Sequence, residues 1–152
     1  MPVELSAAEQ ELIENEASAF AMRTEKPSTR DIYQQLAEKG GEGIIPDDLL
    51  TAAGELLQLG LASGRIRAVY GAHTEMAAVR LFQKTPQGQQ LNRQVEEANQ
   101  ALKVLKDQPI EEISFFLRGP GLYGLRIKTA GCQLTTLLGP SGIDVRSLEI
   151  SI

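Results

Sequence analysis

Pro46-Asp47-Asp48-Leu49-Leu50-Thr51-Ala52-Ala53-Gly54-Glu55-Leu56-Leu57-Gln58-Leu59-Gly60-Leu61, followed by Arg65-Ile66-Arg67-Ala68-Val69-Tyr70 and Met76-Ala77-Ala78-Val79-Arg80-Leu81-Phe82, is the stretch on which the fold turns. Leu49, Leu50, Ala53, Leu56 and Leu57 recur at helical spacing, Pro46 suits a first helical position, and Gly60 suits a stop. After Gly64, Arg65 and Arg67 alternate with Ile66 and Ala68, the pattern of a half-buried strand. Gly71-Ala72-His73-Thr74 reads as a turn. Ala77, Val79 and Leu81 then alternate with Ala78, Arg80 and Phe82 in a returning strand.

Two helices are expected upstream. Ser6 with Glu9 three residues on is a capping box, and Ile13, Ala17, Phe20 and Ala21 form a helical stripe that should end near Thr24, ahead of Pro27. Ser28 is the next expected N-cap, Ile32, Leu36 and Ala37 the buried side, and Gly40-Gly41 the stop. Thr85-Pro86 opens a further helix. Leu91, Val95, Ala98, Leu102 and Leu105 in it are spaced four, three, four and three, a two-heptad seam fit to join two copies of the chain or to pack on the first helix.

Leu56-x-x-Leu59-Gly60-Leu61, the basic strand at 65–70 and Phe82-Gln83-Lys84-Thr85-Pro86-Gln87-Gly88-x-x-Leu91 resemble bacterial winged-helix regulators of the PadR and MarR kind over about residues 6–106. The fold class expected is α+β: an N-terminal winged helix of three helices plus a two-stranded wing (1–84), a long linking helix (85–108) and a small C-terminal unit (109–152). The resemblance implies that the third helix enters a DNA major groove and that the wing touches backbone or minor groove, often in a dimer.

The C-terminal unit has strands expected at 113–117 and 145–152, with two readings between them. As a helix, Tyr123, Ile127, Ala130, Leu134, Leu137 and Leu138 share one face, giving βαβ, the favoured reading. As a β-meander, Tyr123, Leu125 and Ile127 alternate with Gly124, Arg126 and Lys128, and Pro120-Gly121, Ala130-Gly131 and Pro140-Ser141-Gly142 are turns. Internal Gly124 and Gly131 weigh against the helix by about 1 kcal/mol each. The βαβ form resembles, weakly, the first half of the ACT ligand domains. Gly119-Pro120-Gly121-Leu122-Tyr123-Gly124 fits G-x-G-x-x-G, with Asp144 at the distance of a ribose-binding acid, but the residues after Asp144 are too few for the other strands of a dinucleotide fold. A plain glycine-rich turn is the expectation.

Charge narrows the function. The net charge is -5. Residues 1–60 hold twelve acids against four bases, and residues 61–110 seven bases against four acids. An acidic chain binds DNA only through a concentrated basic surface, and Arg65, Arg67, Arg80, Lys84 and Arg93 are the candidates. The solvent side of the third helix instead offers Asp47, Asp48, Thr51, Ala52 and Glu55, with no Lys or Arg between Lys39 and Arg65. Carboxylates are repelled by phosphate.

Cys132 and His73 are each single, which leaves no disulfide, no His/Cys metal set and no paired nucleophile and base. Neither an enzyme, nor a cofactor, nor a metal site is expected. The first twenty residues have no basic leader and the apolar runs are short, so a cytoplasmic location without membrane contact is expected. Two functions remain open. One is a homodimeric transcription regulator on double-stranded DNA; the other is an interaction module that offers its acidic third helix to a basic protein.

Overall fold

The computed structural model describes residues 1–150, which form an α+β protein. By compactness the chain divides into Met1–Gln89 and Gln90–Ile152, with the division inside one helix.

The first unit begins with β1 (Val3–Glu4) and α1 (Ala7–Arg23). The capping box forms: Glu9 N–H donates to Ser6 Oγ at 3.3 Å, and Ser6 N–H donates to Glu9 Oε2 at 2.9 Å. Helix α2 (Pro27–Gly41) starts two residues earlier than expected, with Lys26 rather than Ser28 at the cap and Pro27 in its first turn. Its buried side is Tyr33, Leu36, Ala37 and Gly40; Ile32 faces solvent, one step off the stripe. β2 (Ile44–Ile45) then pairs antiparallel with β1, Val3 opposite Ile45, and clamps the chain's start to the turn after α2.

A 3-10 turn at Asp47–Leu49 leads into α3 (Leu50–Ala62), which runs through Gly60 rather than stopping there. Gly60 is a contact point, not a terminator: a Cβ there would lie 2.7 Å from Ile66 Cδ1. Leu49, Leu50, Ala53, Leu56 and Leu57 are all buried, as their spacing required. They join Leu12, Ile13, Leu36 and Ile45 in one core, where each large side chain contributes about 1.5–3 kcal/mol.

The expected wing is not formed. Residues 65–70 are helix α4 (Arg65–Tyr70), and the returning strand is helix α5 (Ala72–Phe82). The buried residues of α5, Ala77, Ala78 and Leu81, sit at i, i+1 and i+4, a helical face that shares Ala77 and Leu81 with the alternation read as a strand and leaves Val79 exposed. An alanine-rich run with Met, Arg and Leu favours the helix. Gly64 (φ +76°) and Gly71 (φ +93°) bracket α4 in left-handed backbone, so they break one helix from the next instead of turning a hairpin.

Helix α6 (Pro86–Leu102) opens as expected. Thr85, fully buried, donates its hydroxyl to the Phe82 carbonyl at 2.6 Å and accepts from Gly88 N–H at 3.2 Å.

The second unit settles the C-terminal alternatives as a meander. β3 (Ile110–Gly119), β4 (Leu122–Thr129), β5 (Cys132–Gly139) and β6 (Gly142–Ile150) form one antiparallel sheet in sequence order. The favoured helix at 123–138 is overturned, and with it the βαβ form and its ACT-like outline. Three two-residue connections, Pro120-Gly121, Ala130-Gly131 and Pro140-Ser141, cut the segment into strand lengths. The G-x-G-x-x-G run is the β3–β4 hairpin. Gly121 (φ +72°) turns it, and no helix N-terminus follows to face a phosphate. Gly124 lies beneath the Phe116 ring, which a Cβ would strike, and the Arg126 guanidinium stands 5.0 Å from that ring's centre.

The glycines give the first test. Gly64→Ala and Gly71→Ala meet open space but force alanine into left-handed backbone, so each should cost about 1–2 kcal/mol in denaturant unfolding. Gly119→Ala, with equal space and no positive φ, should be close to neutral.

Candidate interaction surface

The sequence-derived candidates fall into three groups. The first comprises the arginines expected on a wing. Arg65 does not face solvent freely: Nε donates to Glu16 Oε2 at 2.9 Å and an Nη donates to Glu16 Oε1 at 3.2 Å. Tyr70 Oη donates to the same carboxylate at 2.8 Å. Arg67, on the next turn face, pairs with Glu75 of α5 at 3.6 Å. Arg65 therefore spends its charge inside the helical unit, whereas Arg67 keeps an exposed side chain in a surface pair. Arg80, Lys84 and Arg93 are exposed, and none of them has a carboxylate partner among the described residues.

Glu16 is the residue that sequence reasoning missed. It lies within the apolar stripe of α1, between Ile13 and Ala17, both fully buried, and is itself buried. An acid on that face needs a partner, and this was the available signal. Burial alone would raise its pKa. Hydrogen bonds from Arg65 and Tyr70, with the Arg65 charge, outweigh that effect and hold the carboxyl below its ordinary range. Tyr70 is pushed up to about 12 by burial and by its bond to Glu16. A carboxylate that takes three hydrogen bonds from Arg65 and Tyr70 acts as a fastener of α4 to α1.

The second group is the third-helix face. Asp47, Asp48, Thr51 and Glu55 are all exposed, whereas Ala52 is buried; Asp47 and Asp48 sit in the 3-10 turn that leads into α3, and Thr51 and Glu55, four residues apart, share a face of α3. Asp47 pairs with the N-terminal ammonium at 2.7 Å. Glu55 Oε2 accepts from Tyr33 Oη at 3.3 Å, and Tyr33 is raised to about 12 by burial and the Glu55 charge. Asp48 and Glu55 have no Lys or Arg partner among the described residues. The helix is also anchored from behind: Gln87 Nε2 donates to the Thr51 carbonyl at 2.9 Å, over Gly54, where a Cβ would strike the Gln87 amide.

The third group is the seam. Ala98 is buried and Leu91 and Leu105 are half-buried, whereas Val95 and Leu102 are each 40% exposed. Part of the seam serves its own sheet. Leu91 and Gln94 lie against Gly142, and Ile143 N–H donates to Gln94 Oε1 at 3.2 Å.

Cys132 is buried within β5, and His73 is exposed in the first turn of α5. Among the described residues no group of three or more His, Cys, Asp or Glu side chains is placed to hold a metal ion, and no helix is long and apolar enough to cross a membrane. Comparison with protein-family models, with curated proteins and with solved structures finds no match.

The tyrosines give a pH test. Tyr33 and Tyr70 have raised folded pKa values, so the stability they contribute is complete below pH 10 and is lost as pH rises from 10 through about 12. Glu16 is lowered, so its contribution is complete above its ordinary pKa of 4.5 and is lost as pH falls through the lower folded value. Absorbance titration of phenolate should show two tyrosines ionising near 12, and Tyr70→Phe should remove one of them. Glu16→Gln should bring Tyr70 down toward 10 and abolish the acid-side loss; an unchanged Tyr70 titration would contradict the bond.

Proposed function

We propose that the helical unit is a protein-interaction module that presents the acidic face of α3 to a basic segment of a partner protein. The observation that carries this reading is the pairing of charges. Arg65 is held by Glu16 and Arg67 lies beside Glu75 in a surface pair, while Asp48 and Glu55 stand exposed without a cationic partner among the described residues. On this reading the chain keeps the three-helix part of a winged-helix-like scaffold, α1 to α3, and carries α4 and α5 where a wing would be. Exposed Asp48 and Glu55, with Thr51 between them, match lysines or arginines on an extended or helical peptide, and Arg65 is not released to compete for them.

A second reading keeps DNA as the partner. Its support is the exposure of Arg80, Lys84 and Arg93, each without a carboxylate partner among the described residues, against the loss of Arg65 to its ion pair with Glu16. Three cations per chain would give a weak, steeply salt-dependent contact.

One titration separates the two. A fluorescent lysine-rich peptide and a mixed-sequence DNA duplex are titrated with the full chain at low salt. The interaction reading expects peptide binding that Asp48→Lys with Glu55→Lys weakens about tenfold or more, while duplex binding stays absent. Duplex binding that Arg80→Ala and Lys84→Ala weaken, with no peptide binding, would replace it by the DNA reading.

A further inference from the structure

We propose that β3 is a self-association edge, on which a second copy of this chain docks by antiparallel pairing of β3 with β3 about a two-fold axis through Phe115. This inference concerns the sheet and stands apart from the reading of α3.

β3 is an outer strand of the sheet, with β4 on one side and an open backbone edge on the other. Its inner stretch, between register shifts at Ile110/Glu112 and Leu117/Gly119, pairs regularly with β4. Outer strands are ordinarily protected by charge or by covering structure. This one alternates the other way. Ile113, Phe115 and Leu117 lie on one face and are 60%, 70% and 71% exposed, and Tyr123, opposite Leu117 on β4, extends the strip.

The occupant is read from the order Ile110-Glu111-Glu112-Ile113-Ser114-Phe115-Phe116-Leu117-Arg118. Antiparallel pairing centred on Phe115 sets the two Phe115 rings against each other and places Ile113 of each copy opposite Leu117 of the other. Arg118 lies at the irregularity that ends the regular stretch, and the same register brings the acidic end of each copy, at Glu112, toward the basic end of the other, at Arg118. Apolar meets apolar, acid meets base, and no like charges are opposed, which is what an isologous interface requires. Glu112 and Arg118 are exposed, and neither has an ion-pair partner among the described residues. Ile113, Phe115 and Leu117 are largely exposed, and pairing along the edge covers the flank that each turns to the second copy. Backbone hydrogen bonds along the joined edge add to this and make one eight-stranded sheet.

Sedimentation equilibrium of the full chain over a micromolar concentration series tests it, with circular dichroism checking that each variant is folded. The wild-type chain should dimerise. Phe115→Glu sets two carboxylates on the axis and should abolish the dimer. Glu112→Arg and Arg118→Glu should each weaken it about tenfold or more, and the double exchange, which restores opposite charges across the axis, should recover most of the loss. Glu112 also faces Lys128 within the sheet, so Arg118→Glu is the cleaner single variant. Three results would overturn the proposal: a wild-type monomer throughout the series; a dimer indifferent to Phe115→Glu; or a dimer lost with Val95→Glu and Leu102→Glu but kept with Phe115→Glu, which would place the contact on the α6 seam.

Discussion

The buried carboxylate of Glu16 is the constraint from which the arrangement of the helical unit follows. An ionised acid in the apolar stripe of α1 is costly unless its oxygens are occupied. Arg65 supplies two donors in the planar fork suited to a carboxylate, and Tyr70 a third. Two residues five apart lie on opposite faces of a strand and could not both reach one acid. Wound as a single short helix between Gly64 and Gly71, they do. The pairing thus fastens α4 to α1 and, by the same contact, withdraws Arg65 from any partner.

That withdrawal alters the meaning of the chain's charge. By count, residues 61–110 are the basic segment, and a linear reading gives it to DNA. In space, Arg65 answers Glu16 and Arg67 answers Glu75, so part of the basic excess neutralises acids within its own unit. The acids of α3 are not answered in this way. Asp48 and Glu55 lie on the solvent side of a helix whose other side, Leu49, Leu50, Ala53, Leu56 and Leu57, is fixed in the core, so the face cannot rotate inward to relieve them. Local charge density, rather than segment charge, is what a partner meets.

Elements with redundant signals were legible in the sequence. Ser6 and Glu9 named the start of α1, the leucines of α3 named its buried side, and Thr85-Pro86 named the start of α6. The failures share a cause. Six residues at 65–70 are too few to separate a period of two from one of 3.6, and Ala77, Val79 and Leu81 satisfy the first while Ala77, Ala78 and Leu81 satisfy the second. In the sheet, six apolar residues fell on a helical face by coincidence, and the better guide was the return of turn residues at 120–121, 130–131 and 140–141. The Glu16 contact joins residues 49 apart, and only the misplaced acid in the α1 stripe pointed to it.

The meander has its own asymmetry, and it follows from connectivity. Two-residue turns keep every strand beside its sequence neighbour, so the first and last strands are always the open ones. β6 meets that exposure with Asp144, Arg146 and Glu149, all exposed and the first two paired at 3.0 Å, a charged border that discourages a further strand. β3 has charge only near its ends, at Glu111, Glu112 and Arg118, and apolar side chains between them. A border designed only to repel would carry charge at its middle, where a new strand makes most of its contacts. Charge of opposite sign at the two ends of an apolar middle instead favours one antiparallel register and penalises the parallel one, in which Glu112 would face Glu112 and Arg118 would face Arg118.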